Sequence, residues 1–276
     1  MAIMKIGNRD FDIKNDTYIM GILNVTPDSF SDGGKFNNVE AAIAHTKQMI
    51  EEGATIIDVG GESTRPGYTM ISDEEEIGRV VPVIRAIKEQ FDIPVSIDTY
   101  KSAVAEAAIE AGADLVNDIW GLKYDPKMAD VIARHGASCC LMHNRDNTDY
   151  NDFMEDMLND LRETVEIAKK AGIADDKIML DPGVGFAKSY ENNLVAIREV
   201  GRLHELGYPI LLGTSRKSVV GLTLDTTKDE RVEGTMVTTV YGVQQGCAFV
   251  RVHDIKENMR AIRMTQAIMR GYRKNG

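Results

Sequence analysis

Short apolar runs alternate with amphipathic stretches along most of the chain. The runs fall at 18–25, 55–60, 94–98, 115–119, 137–143, 177–181, 209–214 and 249–253. Their length and their β-branched and large aliphatic content predict buried strands. Between them the apolar positions recur at helical spacing. In 39–52, Ala42, Ile43, Thr46, Met49 and Ile50 share a face ahead of Gly53, and in 73–91 Ile77, Val80, Val81, Ile84 and Ile87 do the same. Such a stripe belongs to a helix packed on a sheet. Further helices are predicted over 103–111, 126–135, 152–171, 192–206, 229–245 and 258–272.

Strands that alternate with helices need right-handed crossovers, which leave the strands parallel. Eight strands, each followed by its helix and each apolar on both faces, predict an α/β protein folded as a closed (β/α)8 TIM barrel. A doubly wound open sheet is the alternative with the same alternation. Ahead of the first run, segments 3–6 and 11–13 flank Gly7-Asn8-Arg9-Asp10 and read as a hairpin plugging the barrel from below. No linker or low-complexity stretch interrupts the pattern, so residues 1–276 are expected to form one domain, with the hairpin in 1–16 and the barrel in 17–272.

Composition narrows the partners. The chain carries 43 acidic and 32 basic residues, a net charge of −11, which argues against nucleic acid or an anionic membrane surface. An anionic ligand would then need a local basic cluster. No run approaches the length of a transmembrane helix, and the first residues lack a signal-peptide pattern. Cys139 and Cys140 are adjacent and Cys247 stands alone, showing neither a disulfide framework nor metal-ligand spacing. A soluble, unprocessed protein of the reducing cytoplasm is expected.

The candidate chemistry sits where the strands end. In a parallel barrel the C-terminal strand ends and the loops after them form the active face. Those positions hold Asn24, Asp58, Glu62, Asp98, Asn117, Asp118, His143, Asp181, Lys217, Arg251, His253 and Asp254. A lone strand-end carboxylate is usually structural, and Asp58 is read that way, but a ring of such groups describes a pocket. Asp98, Asn117, Asp181 and Lys217 supply the acceptors and donors that match the edge of a flat polar heterocycle. Asn24, Thr64, Arg65, Arg251 and His253 supply neutral and cationic donors for a phosphate or pyrophosphate, with Mg2+ bound largely through phosphate oxygens. Three glycines in 58–67, with Ser63, Thr64 and Arg65, suit an anion-binding loop. The segment from Gly213 to Ser218 is not a Walker loop: its glycine spacing is wrong and no helical pattern starts at Lys217.

These residues resemble those of the dihydropteroate synthases, the folate-pathway family targeted by sulfonamides. The likeness is carried by ILNVTPDSFSDGG at 22–34 and DVGGESTRPG at 58–67, with DPGVGF at 181–186, SRKS at 215–218 and RVHD at 251–254. It implies a TIM barrel, usually a homodimer, that joins 6-hydroxymethyl-7,8-dihydropterin pyrophosphate to p-aminobenzoate by an SN1-like route with Mg2+. By resemblance the pterin lies on Asp98, Asn117, Asp181 and Lys217. The pyrophosphate lies on Asn24, Thr64, Arg65, Arg251 and His253, with Asn24 also near Mg2+. Phe30, Pro66, Lys217 and Ser218 border p-aminobenzoate. Asp98, Lys217, Arg251 and His253 are the residues expected to act in the chemistry, and the loops 26–36 and 61–71 are expected to close over the substrates. Departures from the family pattern fall at Asn144-Arg145-Asp146, Val219-Val220, and Met236, Val237 and Tyr241. The rival readings are a pterin-binding methyltransferase, a pterin-binding barrel without activity and, more distantly, a phosphosugar isomerase or lyase.

Overall fold

The computed structural model describes residues 2–26, 35–62 and 70–271. A two-stranded antiparallel hairpin, β1 (Ile3–Ile6) and β2 (Arg9–Asp12), precedes eight parallel strands. These are β3 (Tyr18–Asn24), β4 (Ile56–Gly60), β5 (Val95–Asp98), β6 (Leu115–Asp118), β7 (Ser138–Met142), β8 (Ile178–Asp181), β9 (Leu211–Leu212) and β10 (Phe249–Val252). Their order is β8-β7-β6-β5-β4-β3-β10-β9, and a parallel bridge between Leu180 and Ile210 joins the two ends of the sheet. The eight-stranded barrel expected from the pattern is the fold.

The outer ring comprises α1 (Lys35–Glu52), α2 (Asp73–Gln90), α3 (Ser102–Glu110), α4 (Met128–His135), α5 (Phe153–Ala171), α6 (Tyr190–Arg198), α7 (Ser218–Leu224), α8 (Val232–Gln244) and α9 (Ile255–Arg270). α5 shows why they form where they do. Asp152 accepts the Glu155 N–H at its start and Gly172 takes a left-handed conformation at its end. Met154, Met157, Leu158, Leu161, Val165 and Ala168 bury one face between those caps. Among the described residues no helix is long and apolar enough to cross a membrane.

Three local expectations are corrected. The hairpin turn is the pair Gly7-Asn8 rather than four residues: Ile6 pairs with Arg9, and Gly7 supplies the positive φ such a tight turn requires. The helix expected over 192–206 ends as α6 at Arg198 and continues as a 3-10 segment, Val200–Leu206. A helix does begin at Ser218, against the expectation that none starts there. Its Val-Val-Gly sequence has poor helical propensity, and burial of Val219 and Val220 supplies what propensity does not.

The hairpin closes the bottom of the barrel. Met4, Ile6 and Phe11 are buried in one cluster with Met20, Ile56, Leu115, Cys140, Met179, Leu211 and Phe249, side chains from seven barrel strands. Phe11 packs edge-on against Tyr18, 4.9 Å between ring centroids, and against Phe249 at 5.5 Å. Apolar filling at this end leaves polar side chains to the other, because residues two apart on a strand share a face. Phe11→Ala is expected to lower stability by about 3–5 kcal/mol, read as a shifted denaturant midpoint, while the folded fraction keeps its ligand affinity.

Candidate active site at the mouth of the barrel

One tier of the barrel wall holds three of the predicted residues, Asn24, Asp98 and Asn117. Asn24 pairs in register with Gly60, Gly60 with Asp98, and Asp98 with Asn117. Gly60 faces this tier, and a Cβ there would make ordinary van der Waals contact at 3.7 Å with both Asn24 Oδ1 and Asp98 Oδ2. Opposite, a Cβ on Gly213 would lie 3.3 Å from Asp181 Oδ2 and 3.9 Å from Lys217 Nζ. Gly213 thus leaves room beside the Asp181 carboxylate and the Lys217 ammonium.

Arg251 ties the two halves of the expected chemistry together. Its Nε donates to Asp58 Oδ2 and its Nη2 to Asp98 Oδ2, each at 2.6 Å. Asp58 Oδ2 also accepts from Asn117 Nδ2 at 3.2 Å, which turns the amide oxygen of Asn117 the other way. Arg251 therefore sits with the heterocycle group rather than apart from it. Asp58, fully buried, sets the orientation of both Arg251 and Asn117. Asp58 Oδ1, Asp98 Oδ1 and Ser96 Oγ are buried and have no hydrogen-bond partner among the described residues.

Burial governs the protonation of this group. It lifts the Asp98 carboxyl up to about 7, with Arg251 pulling against the rise and Asp58 adding to it. It also raises Asp181, against the pull of Lys217, and lowers Lys217 to about 8. For Arg251 burial opposes the charge, but Asp58 and Asp98 outweigh it and keep the guanidinium ionised.

Around this centre the loops hold fixed positions. Lys217 donates its ammonium to the carbonyl of Val184 and lies 4.9 Å from the centroid of the Phe186 ring. Ser218, exposed, is the first residue of α7. Arg216, at φ 55°, reaches Asp254 with a two-pronged ion pair that pins the segment after β9 to the end of β10. Ser215 Oγ accepts the His253 backbone N–H at 3.1 Å and lies 3.0 Å from its Nδ1. The hydroxyl proton is then free for Nδ1, leaving Nε2 as the N–H donor. Burial, with Arg251 and Arg216 nearby, lowers His253 to about 3, so it is a neutral donor.

Phe30, Thr64, Arg65 and Pro66 lie outside the described residues, as do most of the loops 26–36 and 61–71. Among the described residues no group of three His, Cys, Asp or Glu side chains could hold a metal ion. Asn24 offers a single neutral oxygen, a donor set that fits Mg2+ only where phosphate oxygens supply the other ligands. Ser215 is a positioning residue that strand-end reading gave no role, while Asp58, read as a structural acid, makes intra-barrel hydrogen bonds to Arg251 and Asn117. The hint available for Ser215 was its place beside His253 on the same active face.

The model of the pterin binding enzyme family matches residues 20–253. Dihydropteroate synthase of Clostridium beijerinckii is 64% identical over 268 residues, 97% of this chain and all of that protein. The chain belongs to the dihydropteroate synthase family. A dihydropteroate synthase structure from Clostridium difficile, determined in the presence of pteroic acid, superposes with a TM-score of 0.92 at 54% identity, covering 94% of this chain and 99% of that one. The Xanthomonas albilineans dihydropteroate synthase with 4-aminobenzoic acid gives a TM-score of 0.92 at 39% identity, covering 98% of each chain. The extra helix α7, with Ser218 at its first turn, lies within this shared dihydropteroate synthase barrel.

Linkage gives a direct check on Asp98. Its folded carboxyl, near 7, exceeds the ordinary value of 3.8, so its contribution is fully present below that value and fades as pH rises through 7. The stability difference between wild type and Asp98→Asn should shift in favour of the variant between about pH 4 and 7. Urea titrations across that range would show a flat difference if Asp98 were ionised throughout.

Proposed function

We propose that this chain condenses 6-hydroxymethyl-7,8-dihydropterin pyrophosphate with p-aminobenzoate to form 7,8-dihydropteroate and pyrophosphate. The observation that carries this assignment is the buried convergence of Asp98, Asn117, Asp181, Lys217 and Arg251 around two glycines. A pterin edge has N–H donors for the carboxylates, and its carbonyl and ring nitrogens suit the ammonium and guanidinium. The relatives from Clostridium difficile and Xanthomonas albilineans were studied with pteroic acid and 4-aminobenzoic acid, a likeness that supports the same substrates here.

The chemistry follows from the charges. The bond between the pterin methylene and the pyrophosphate oxygen breaks first, and its electron pair leaves with the pyrophosphate. Asn24, Thr64, Arg65, Arg251 and His253 hold that group, with Arg251 and His253 donating to the growing negative charge. Mg2+, when bound near Asn24, would supply further charge stabilisation on the phosphate oxygens. Electron release from the ring stabilises the cation left on the methylene, and the Asp98 carboxylate lies beside it. The neutral aniline nitrogen of p-aminobenzoate, bordered by Phe30, Pro66, Lys217 and Ser218, then attacks and loses a proton. No covalent enzyme intermediate forms.

Two supporting features bear on the state of the protein. Val237 on α8 and Met264 and Ile268 on α9 are 68%, 63% and 73% exposed, and the two helices pack together. That apolar surface suits a second copy of the chain, so a homodimer is proposed. Three buried free thiols, Cys139, Cys140 and Cys247, suit a reducing cytoplasm.

The direct test supplies the pterin pyrophosphate and Mg2+ with and without p-aminobenzoate, and follows pyrophosphate and dihydropteroate. Dihydropteroate equal to the pyrophosphate released is expected; pterin binding with no product would exclude the synthase. Asp98→Asn should lower kcat by about 100-fold or more. Arg251→Ala should weaken the pterin alcohol as well as its pyrophosphate ester, because it leaves Asp58 and Asp98 unpaired. His253→Ala should weaken the ester alone, by about tenfold. Calorimetric titration of both ligands separates these outcomes.

A further inference from the structure

Behind the rim formed by segment 183–186 lies a second buried polar network with no assigned part in the reaction. Lys188 donates its ammonium to Gly183 O at 2.9 Å, to Phe186 O at 2.9 Å and to His143 Nδ1 at 2.9 Å. These use all three of its N–H groups. An ammonium can only donate, so Nδ1 of His143 is the acceptor and the ring proton is on Nε2. That proton goes to Asp160 Oδ2 at 2.9 Å, which also takes Arg145 Nε at 2.6 Å. His143 is therefore a neutral connector, in keeping with the lowering to about 4 that burial imposes.

The carbonyls gripped by Lys188 flank the one that holds Lys217. Gly183 and Phe186 lie on either side of Val184, whose carbonyl receives the Lys217 ammonium. Phe186 N–H closes back on Gly183 O at 3.1 Å, making one tight turn of the whole segment. Gly183 N–H donates to Asp181 Oδ1 at 2.6 Å, which links the same turn to the buried carboxylate of the pocket. The turn also sits hard against β7. With φ at 69°, Gly183 approaches so closely that a Cβ would lie 2.0 Å from His143 O. The Lys188 side chain takes no part in the cap of the helix that follows, where Ser189 accepts the Asn192 N–H; α6 reaches Lys188 only at its carbonyl, through Asn193 Nδ2. A buried ammonium is disfavoured, and burial lowers Lys188 to about 7. Its placement is explained by the turn it holds.

We propose that Lys188 and His143 are positioning residues for the transfer reaction, fixing the turn of Gly183 to Phe186 so that Val184 O aims the Lys217 ammonium. The inference rests on the assignment of Lys217 to the pterin. It extends that assignment to residues that touch no substrate. Their effect must pass through Lys217, and this distinguishes them from residues that only support the fold.

The test is a double-mutant cycle on the full-length protein, with the pterin pyrophosphate and p-aminobenzoate as substrates. Lys188→Met alone should raise the pterin KM by about tenfold, with kcat changed less than about threefold. In a Lys217→Met background the same substitution should change the pterin KM by less than about twofold, because the group it aims is already gone. Additive effects in the two backgrounds, or an unchanged KM in the single variant, would overturn the positioning role while leaving the synthase assignment standing. A wild-type chain that forms no dihydropteroate would overturn both. Should Lys188→Met fail to fold, Lys188→Gln retains two donors on a shorter stem; a smaller KM rise that again disappears without Lys217 supports the role, and an additive one contradicts it.

Discussion

The site depends on one half-buried guanidinium. Arg251 holds Asp58 through Nε and Asp98 through Nη2, and without it two carboxylates in the barrel interior would face each other unpaired. Breaking such a buried pair by removing one partner costs about 3–5 kcal/mol. The same guanidinium is what a leaving pyrophosphate would meet. Structure and chemistry thus draw on one group: the cation that permits a carboxylate pocket for the pterin also provides charge for the bond that breaks.

The rest of the fold serves to keep this arrangement still. The hairpin fills the lower barrel with Met4, Ile6 and Phe11, so the strands cannot collapse inward and the polar tier above keeps its spacing. The loops add a second level of restraint. Arg216 with Asp254 pins the segment that carries Lys217, Ser215 fixes the tautomer of His253, and the Lys188 network holds the turn that receives the Lys217 ammonium. Preorganisation of this kind suits a reaction in which the protein forms no bond to substrate.

Much of this was legible in the sequence because it rests on local pattern. Alternating strands and helices give the barrel, and barrel geometry alone nominates Asp98, Asn117, Asp181 and Arg251 from their places at strand ends. What could not be read is what depends on contact across the barrel. Arg251 and Asp58 are 193 residues apart, and no spacing rule joins them, so sorting by residue type put Arg251 with the phosphate donors and left Asp58 as a structural acid. The same limit hid α7. Val219-Val220-Gly221 lacks helical propensity, and the close packing of Gly234 on Val220, where a Cβ would fall 2.4 Å from Cγ1, becomes visible only in three dimensions. Nothing in the sequence sets Lys188 apart from an ordinary solvated lysine beside a loop; only the folded turn of Gly183 to Phe186 encloses it.

The measurement closest to the central claim is the proton balance of pterin binding, obtained by calorimetry in buffers of different ionisation enthalpy. If burial, with Asp58 adding to it and Arg251 opposing, holds Asp98 near 7, a pterin that donates to its carboxylate must drive off a proton where Asp98 is protonated. The account predicts release of close to one proton per pterin near pH 6, little near pH 8.5, and none attributable to this group in Asp98→Asn. Binding without proton release at either pH would contradict it, and would mean that the carboxylate pair under Arg251 is already fully ionised before the pterin arrives.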